Sequence, residues 1–318
     1  MRLLVSTAHE DTAYRFPDLV KLLRPGDLLV VNESATVPAS LPARSGLGEF
    51  LVNLSTPYGP GLWVGEPRWG PGKPGPLPLS VPSTLEVGGV ACRLVAGFPG
   101  IPRLVFLQSE GDLWNVMREV GQPIRYGYAA RAFPLDAYQT VFARVPGSAE
   151  MPSAARPFTS RLVDRLLSRG VAIAPIVLHA GVSSLETTDF PLGAIPVFPE
   201  PFEVPGSTVR SILETRARGG RVVAVGTTVV RALESATDSC GLRPAHGFTR
   251  LYLSPERPVR SVDGLLTGFH EARSTHLALL SAFVGGSRLQ RAYEAAVREG
   301  FLWHEFGDSH LVWSDQVP

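Results

Sequence analysis

His270 stands in "GLLTGFHEARSTHLALLSAF" (264–283), between Phe269 and Glu271, with Arg273, Ser274 and Thr275 following and a long apolar stretch beyond. A helix cap accounts for the hydroxyls, because Ser274 or Thr275 can accept a backbone N–H at a helix start. An imidazole titrating near neutrality is equally suited to move protons, which makes the same junction a candidate site. His179, in "VLHAGVSSLE", closes an apolar strand ahead of Gly181 and two serines. Ligands of open α/β sheets collect at the carboxyl ends of strands, so the position suits a site residue; it also suits a histidine merely hydrogen-bonded at a strand end. In "AVGTTVVRALES" a strand ends at Gly226, and Thr227 or Thr228 opens a helix carrying Arg231 and Glu234. Backbone N–H groups at that helix start, with the threonine hydroxyls, can hold a carboxylate. A threonine-capped helix with an i,i+3 ion pair explains the same letters. "YQTVFARVPGSAEMPSAARPFTS" (138–160) packs Gln139, Ser148, Glu150, Ser153, Arg156 and Thr159 around prolines, as a surface connection or a shaped substrate loop.

These residues need elements to hold them. In "LLRPGDLLVVN", Pro25 and Gly26 turn the chain into a short apolar strand. From about Gly46 to Gln108 short apolar runs alternate with Gly and Pro, which predicts a small all-β unit inserted in a larger domain. The chain then alternates helical and strand patterns. "TSRLVDRLLSRG" places Leu162, Val163, Leu166 and Leu167 at helical spacing and stops at Gly170 before the apolar run "VAIAPIVLH". "STVRSILETRARGG", "RVVAVG" and "TTVVRALESA" repeat helix, strand, helix, and the two-faced apolar strands imply an α/β layer covered on both sides.

Composition narrows the class. With 318 residues, 44% hydrophobic, 19% charged and a net charge of +1, the chain reads as a globular protein with a sizeable core, neither disordered nor fibrous. Cys92 and Cys240 are isolated, giving neither a disulfide framework nor a cysteine metal site, and no metal is expected. The opening "MRLLVSTAHEDTAYRF" meets charges too early for a signal peptide, and no apolar run approaches the ~20 residues of a membrane span, so a cytoplasmic location is expected. Near-neutral charge leaves RNA to a local basic face; Arg161, Arg165, Arg169, Arg216, Arg218 and Arg221 supply one, and a solvated helix face explains them too. "GPGKPG" (70–75) matches G-x-G-x-x-G, but its prolines cannot open a helix and it reads as a loop.

In order and spacing, "LLRPGDLLVVN", "YQTVFA" with "PGS", "PFT", "LHAGVSS", "RVVAVGTTVVRALES", "TGFHEARSTHLALLSAF" and "FGDSHLVW" resemble the S-adenosylmethionine:tRNA ribosyltransferase-isomerases of queuosine biosynthesis over nearly the whole chain. The resemblance implies an α/β fold, with a large α/β domain over 1–45 and 109–318 and an inserted small barrel-like β domain over 46–108. It implies that S-adenosylmethionine is a co-substrate, with no prosthetic group, whose ribosyl unit passes to the aminomethyl group of a 7-deazaguanine in tRNA. Adenine and methionine leave, and an epoxy-cyclopentenediol remains. A base must remove a C5' proton beside the sulfonium, so His270 and His179 are the catalytic candidates. The Gly226, Thr227 and Thr228 turn is a seat for the methionine carboxylate, and Glu200 and Asp308 are partners for the amine or ribose hydroxyls. Thr267, Phe269, Arg231, Gln139, Ser148 and Arg156 fall on motif positions as further substrate-binding candidates. A monomer with S-adenosylmethionine and tRNA as partners, and no membrane, is expected.

The chain also departs from the family pattern. Pro157 replaces a histidine in "SAARPFT", two histidines are missing before Glu200 in "AIPVFPEPF", and "TGFHEARS" has Gly268 for Asn and Arg273 for Lys. "PIRYGY" replaces "P-L-P-P-Y-I", and the chain starts at "MRLLV", inside the family's "R-D-x-S-R-L-L-V" pattern. Two alternatives therefore stand beside the main reading: a paralogue with another amine acceptor, and an inactive protein that binds S-adenosylmethionine or RNA.

Overall fold

The computed structural model describes residues 1–70, 75–125, 133–182, 197, 199–270, 274–303 and 307–314. Nine strands make one sheet: β1 (Arg2–Ser6), β2 (Asp11–Arg15), β3 (Leu28–Asn32), β12 (Ala172–Leu178), β13 (Glu200–Val204), β14 (Val222–Val225), β17 (Ala245–Thr249), β18 (Gly264–Gly268) and β19 (Ser309–Trp313). Their order is β17-β13-β12-β3-β14-β18-β19-β1-β2. β12, β3, β14 and β18 run parallel, so their carboxyl ends lie side by side. β13 and β19 run antiparallel to their neighbours β12 and β18, which brings the starts of both strands, at Glu200 and Ser309, to that same edge.

Alternation along the central strands explains the layering. Leu28 and Val30 of β3, with Val222 and Ala224 of β14, face one core, while Leu29, Val31, Val223 and Val225 face the other. One face is covered by α4 (Gly206–Ala217), α5 (Thr227–Ser235) and α6 (Thr275–Val284), the other by α1 (Leu19–Leu22) and α3 (Ser160–Ser168). Strands buried on both sides leave no polar face, as the continuous apolar runs required. α3 opens with Thr159 accepting from the Leu162 N–H and closes before Gly170 at φ 86°. α7 (Gly286–Arg298) packs an aromatic group, Phe269, Tyr293, Phe301 and Trp303, beside β18 and β19.

The second body is a closed barrel in the order β10-β7-β6-β5-β8-β9. Its strands are β5 (Ser40–Ser45), β6 (Gly48–Gly59), β7 (Leu62–Arg68), β8 (Ser83–Val87), β9 (Val90–Gly97) and β10 (Val105–Ser109), with α2 (Leu113–Val120) against its core. The first strand lies ahead of the Gly- and Pro-rich texture that begins at Gly46, because β5 is an alternating strand, Leu41 and Ala43 inward and Arg44 outward, with nothing in its composition to mark a barrel. β4 (Ser34–Thr36) pairs with β11 (Val145–Ser148) between the two bodies, and β15 (Thr237–Asp238) pairs with β16 (Gly241–Leu242) after α5. The "GPGKPG" loop falls at 71–74 outside the described residues, as do Ser183, Ser184, Glu271 and Arg273. Among the described residues no helix is long and apolar enough to cross a membrane, and no cluster of side chains could hold a metal ion.

Candidate active site at the strand ends

His179 follows β12 directly, and its Nδ1 lies 2.7 Å from Ser34 Oγ, which lies 2.6 Å from Ser148 Oγ. Both serines are fully buried, and Ser148 Oγ accepts the Ala180 N–H at 3.0 Å. The contact runs in either of two directions. With Ser34 donating, His179 carries its proton on Nε2; with Nδ1–H donating to Ser34, the Nε2 lone pair is left free to act as a base. Burial lowers the imidazole pKa, so the ring is neutral at neutral pH. The ring lies on the backbone of Gly147, where a Cβ would come within 2.5 Å of it, so glycine is required by close approach.

Asn32 at the end of β3 joins this corner to the next strand. Its amide nitrogen donates to Leu178 O at 2.8 Å and to Thr228 Oγ1 at 3.3 Å, while its oxygen accepts from the Leu178 and Ser34 N–H groups. Gly226 is the N-cap of α5, at φ 102° and without a side-chain cap, so neither Thr227 nor Thr228 caps the helix. They occupy its first turn, because φ > 0 at the boundary is taken by the glycine and the threonines are already helical. Among the described residues no side-chain oxygen caps the first-turn N–H groups, which suits an anion at this end. Arg231 does not pair with Glu234. It pairs with Glu200, whose other oxygen accepts the Gly181 N–H at 3.0 Å, while Glu234 accepts from Arg260 and Ser261 N–H. Glu200 is 2% exposed, and a buried ion pair of this kind is costly to break, on the order of 3–5 kcal/mol when one partner is removed.

His270 follows β18, with Nε2 2.9 Å from Thr267 Oγ1 and its backbone N–H given to Tyr293 Oη at 3.1 Å. Its ring stacks on His276 at 4.3 Å between centroids and 3° between planes. Burial, followed by the neighbouring His276 and His310, holds the His270 pKa well below the ordinary imidazole value. His276 is lowered to about 4 by burial and by Arg231. Protonating either ring places a cation against a neutral imidazole in a poorly solvated corner, so the pair is neutral and available to accept a proton from a strongly acidic group.

Of the predicted residues, His179, Ser148, Glu200, Gly226, Thr227, Thr228, Arg231, Thr267 and His270 gather along one edge of the sheet. Phe269 is placed otherwise: 1% exposed, it lies in the aromatic core, stacked on His310 at 5.3 Å. Asp308 is committed to the backbone, accepting Arg2 N–H at 2.7 Å and Leu302 N–H at 3.0 Å. Gln139 pairs both ways with the main chain of Thr36. Arg156 ends a short turn, beside a cleft lined by Ser153, Ala154, Pro157, Gly268 and Asp308. In the basic set, Arg221 is bound to Asp27, Arg216 to Ser261 O and Arg218 to Glu214, while Arg161, Arg165 and Arg169 are exposed. Sequence reasoning missed Asn32, Ser34 and His276. Asn32 ends an apolar run, a signal that was present; nothing local marks the other two.

A doubly covered α/β sheet carrying a closed barrel, with neutral imidazoles and a buried Arg–Glu pair at its strand ends, defines the class of the fold. Comparison with known proteins narrows this. A family model described as queuosine biosynthesis protein matches residues 1–312. The chain is 39% identical over 305 residues to a Thermus thermophilus protein named S-adenosylmethionine:tRNA ribosyltransferase-isomerase, covering 94% of this chain and 87% of that one. It is 35% identical to a Pelotomaculum thermopropionicum protein of the same name, covering 93% and 87%. A crystal structure of S-adenosylmethionine tRNA ribosyltransferase from Thermotoga maritima is similar with a TM-score of 0.53 at 28% identity, over 98% of this chain and 92% of that one. The chain belongs to the queuosine biosynthesis family of S-adenosylmethionine:tRNA ribosyltransferase-isomerases.

Proposed function

We propose that this protein transfers and isomerises the ribosyl moiety of S-adenosylmethionine onto the 7-aminomethyl-7-deazaguanine of tRNA, releasing adenine and methionine. The observation that carries the reading is the gathering of His179, Gly226–Thr228 and Thr267–His270 at neighbouring strand ends in a chain alike to its named relatives from end to end. In this reading one of the two neutral imidazoles removes the C5' proton, which a neutral ring can accept and a protonated one cannot. The start of α5 seats the methionine carboxylate on its N–H groups. Arg231 and Glu200, already paired with each other, shape the site and fix Gly181. Phe269 supports the corner from within the aromatic core, and Asp308 holds the Arg2 and Leu302 N–H groups at the edge of the cleft.

Chromatography of free adenine and methionine tests the reading. Release from S-adenosylmethionine that requires tRNA bearing the aminomethyl-deazaguanine is the expected result. Tight donor binding with no release in its presence would refute it, leaving a changed acceptor or a binding protein.

A further inference from the structure

The five residues from Leu178 to Val182 give their backbone N–H groups to five different places. Leu178 donates to Asn32 Oδ1, His179 to Pro201 O, Ala180 to Ser148 Oγ, Gly181 to Glu200 Oε1 and Val182 to Ser55 Oγ at 2.9 Å. The last of these belongs to the barrel. So does the donor to the Val182 carbonyl, Arg103 Nη2 at 3.2 Å. The Val182 side chain is fully buried and belongs to the barrel's own apolar cluster. One residue, three positions beyond His179, is thus held by the barrel through both backbone groups and its side chain.

The barrel is built to make this grip. Phe50, Val52 and Leu54 of β6 face its interior, and the ladder to β7 shifts register between Leu54 and Pro57. A bulge of that kind redirects side chains out of the regular alternation, and Ser55 sits in it. Arg103 is held by Glu66, which is 0% exposed and accepts from Arg103 Nη1 at 2.8 Å and from Arg68 at 3.1 Å. A small second core of Val64, Phe98, Ile101 and Leu104 fixes the turn that carries Arg103. A buried glutamate between two arginines thus orients one of them at the Val182 carbonyl.

We infer that Ser55 and Arg103 are positioning residues for His179, acting through Val182, so that the barrel sets the geometry of the proton-transfer corner; this rests on the proposed role of His179. Hydrogen bonds at both ends of a short segment remove the backbone freedom that would let the imidazole drift, and a drift of about 1 Å lowers rates on the order of 10²-fold. Neither side chain touches the reacting atoms.

The test compares Ser55→Ala and Arg103→Met with Ser55→Thr, which keeps a hydroxyl, and Val87→Ala, which trims the same barrel core at β8 and leaves the β6 bulge and both Val182 hydrogen bonds in place. Expected is a roughly tenfold or larger fall in kcat for Ser55→Ala and Arg103→Met with a much smaller change in KM for S-adenosylmethionine, and near-native kcat for Ser55→Thr. Unchanged kcat in the first two, or an equal fall in Val87→Ala at a matched melting shift, would overturn the inference. Amide hydrogen exchange of the peptide covering 176–182 gives a readout that needs no substrate. It should quicken in Ser55→Ala and not in Val87→Ala, and unaltered exchange would overturn the positioning role whatever reaction the protein performs.

Discussion

The two histidine corners solve one problem, a neutral imidazole at a strand end, by different means. At the end of β12, His179 is wired to hydroxyls: Ser34 and Ser148 stand in line with its Nδ1 and reach the backbone of its own segment at Ala180. At the end of β18, His270 is packed against rings: it stacks on His276, while its neighbour Phe269 stacks on His310. The hydroxyl line holds Nδ1 in a contact that can run in either direction, so it serves both tautomers. The ring stack cannot reverse anything, but it makes protonation expensive through burial and, at His276, through the nearby Arg231 cation. A proton taken by His179 has a hydrogen-bonded path to share, whereas one taken by His270 has mainly Thr267.

The largest effect is expected where the contrast is sharpest. His270→Ala should lower turnover by roughly 10²-fold or more if the stacked imidazole moves the proton, with donor affinity retained. Equal turnover in that variant would assign proton transfer to the His179 corner. Ser34→Ala sharpens the other side: losing the hydroxyl that pairs with His179 Nδ1 should cost about tenfold in turnover and shift the acidic limb of the pH–rate profile, which single-turnover assays across pH would reveal. Should Ser34→Ala leave both untouched, the hydroxyl line is only structural.

Thr228→Val lies between the corners and should do less. Its hydroxyl accepts from Asn32 but caps nothing, so donor affinity should fall by about 2- to 10-fold, the worth of one hydrogen bond, with little change in melting temperature. Calorimetric titration with S-adenosylmethionine checks this, and a large melting shift with intact affinity would return Thr228 to a purely structural role.

The last effect is on stability rather than on turnover. His276 and His310 titrate near 4 and 3 in the fold, because burial disfavours their charged forms, against about 6.5 in the unfolded chain. Between those values the unfolded state binds protons that the folded state does not, so stability is lost as pH falls below about 6.5 and is unaffected by these groups above it. Melting curves at pH 7.5, 6 and 5 should show that decline, and His276→Leu should make it shallower while leaving the share that His310 contributes. A flat profile in the unaltered protein would show that the ring stack does not resist protonation.

Much of this arrangement was legible before any coordinates. The apolar runs ending at Asn32, His179 and Gly226 mark strands whose ends lie at the site, and of the two hydroxyls offered as a cap, Ser274 or Thr275, Ser274 is the one that caps α6. What the letters hid follows from long-range pairing. Glu200 and Arg231 lie 31 positions apart and meet only because β13 folds back beside β12, so the nearer Glu234 looked like the partner. Phe269 and Asp308 sit in motifs that read as substrate contacts, yet one fills a core and the other clamps two backbone N–H groups, because a motif's spacing does not say which way its side chains face. The barrel's first strand was hidden for a simpler reason: an alternating strand looks the same in either body.

The most direct test of the account follows the ribose. S-adenosylmethionine labelled in its ribosyl carbons, incubated with the protein and tRNA bearing the aminomethyl-deazaguanine, should leave label in the nucleosides recovered from the tRNA, in step with adenine release. Adenine release with all label remaining in small molecules, or no label transferred under conditions where the donor is bound, would contradict it.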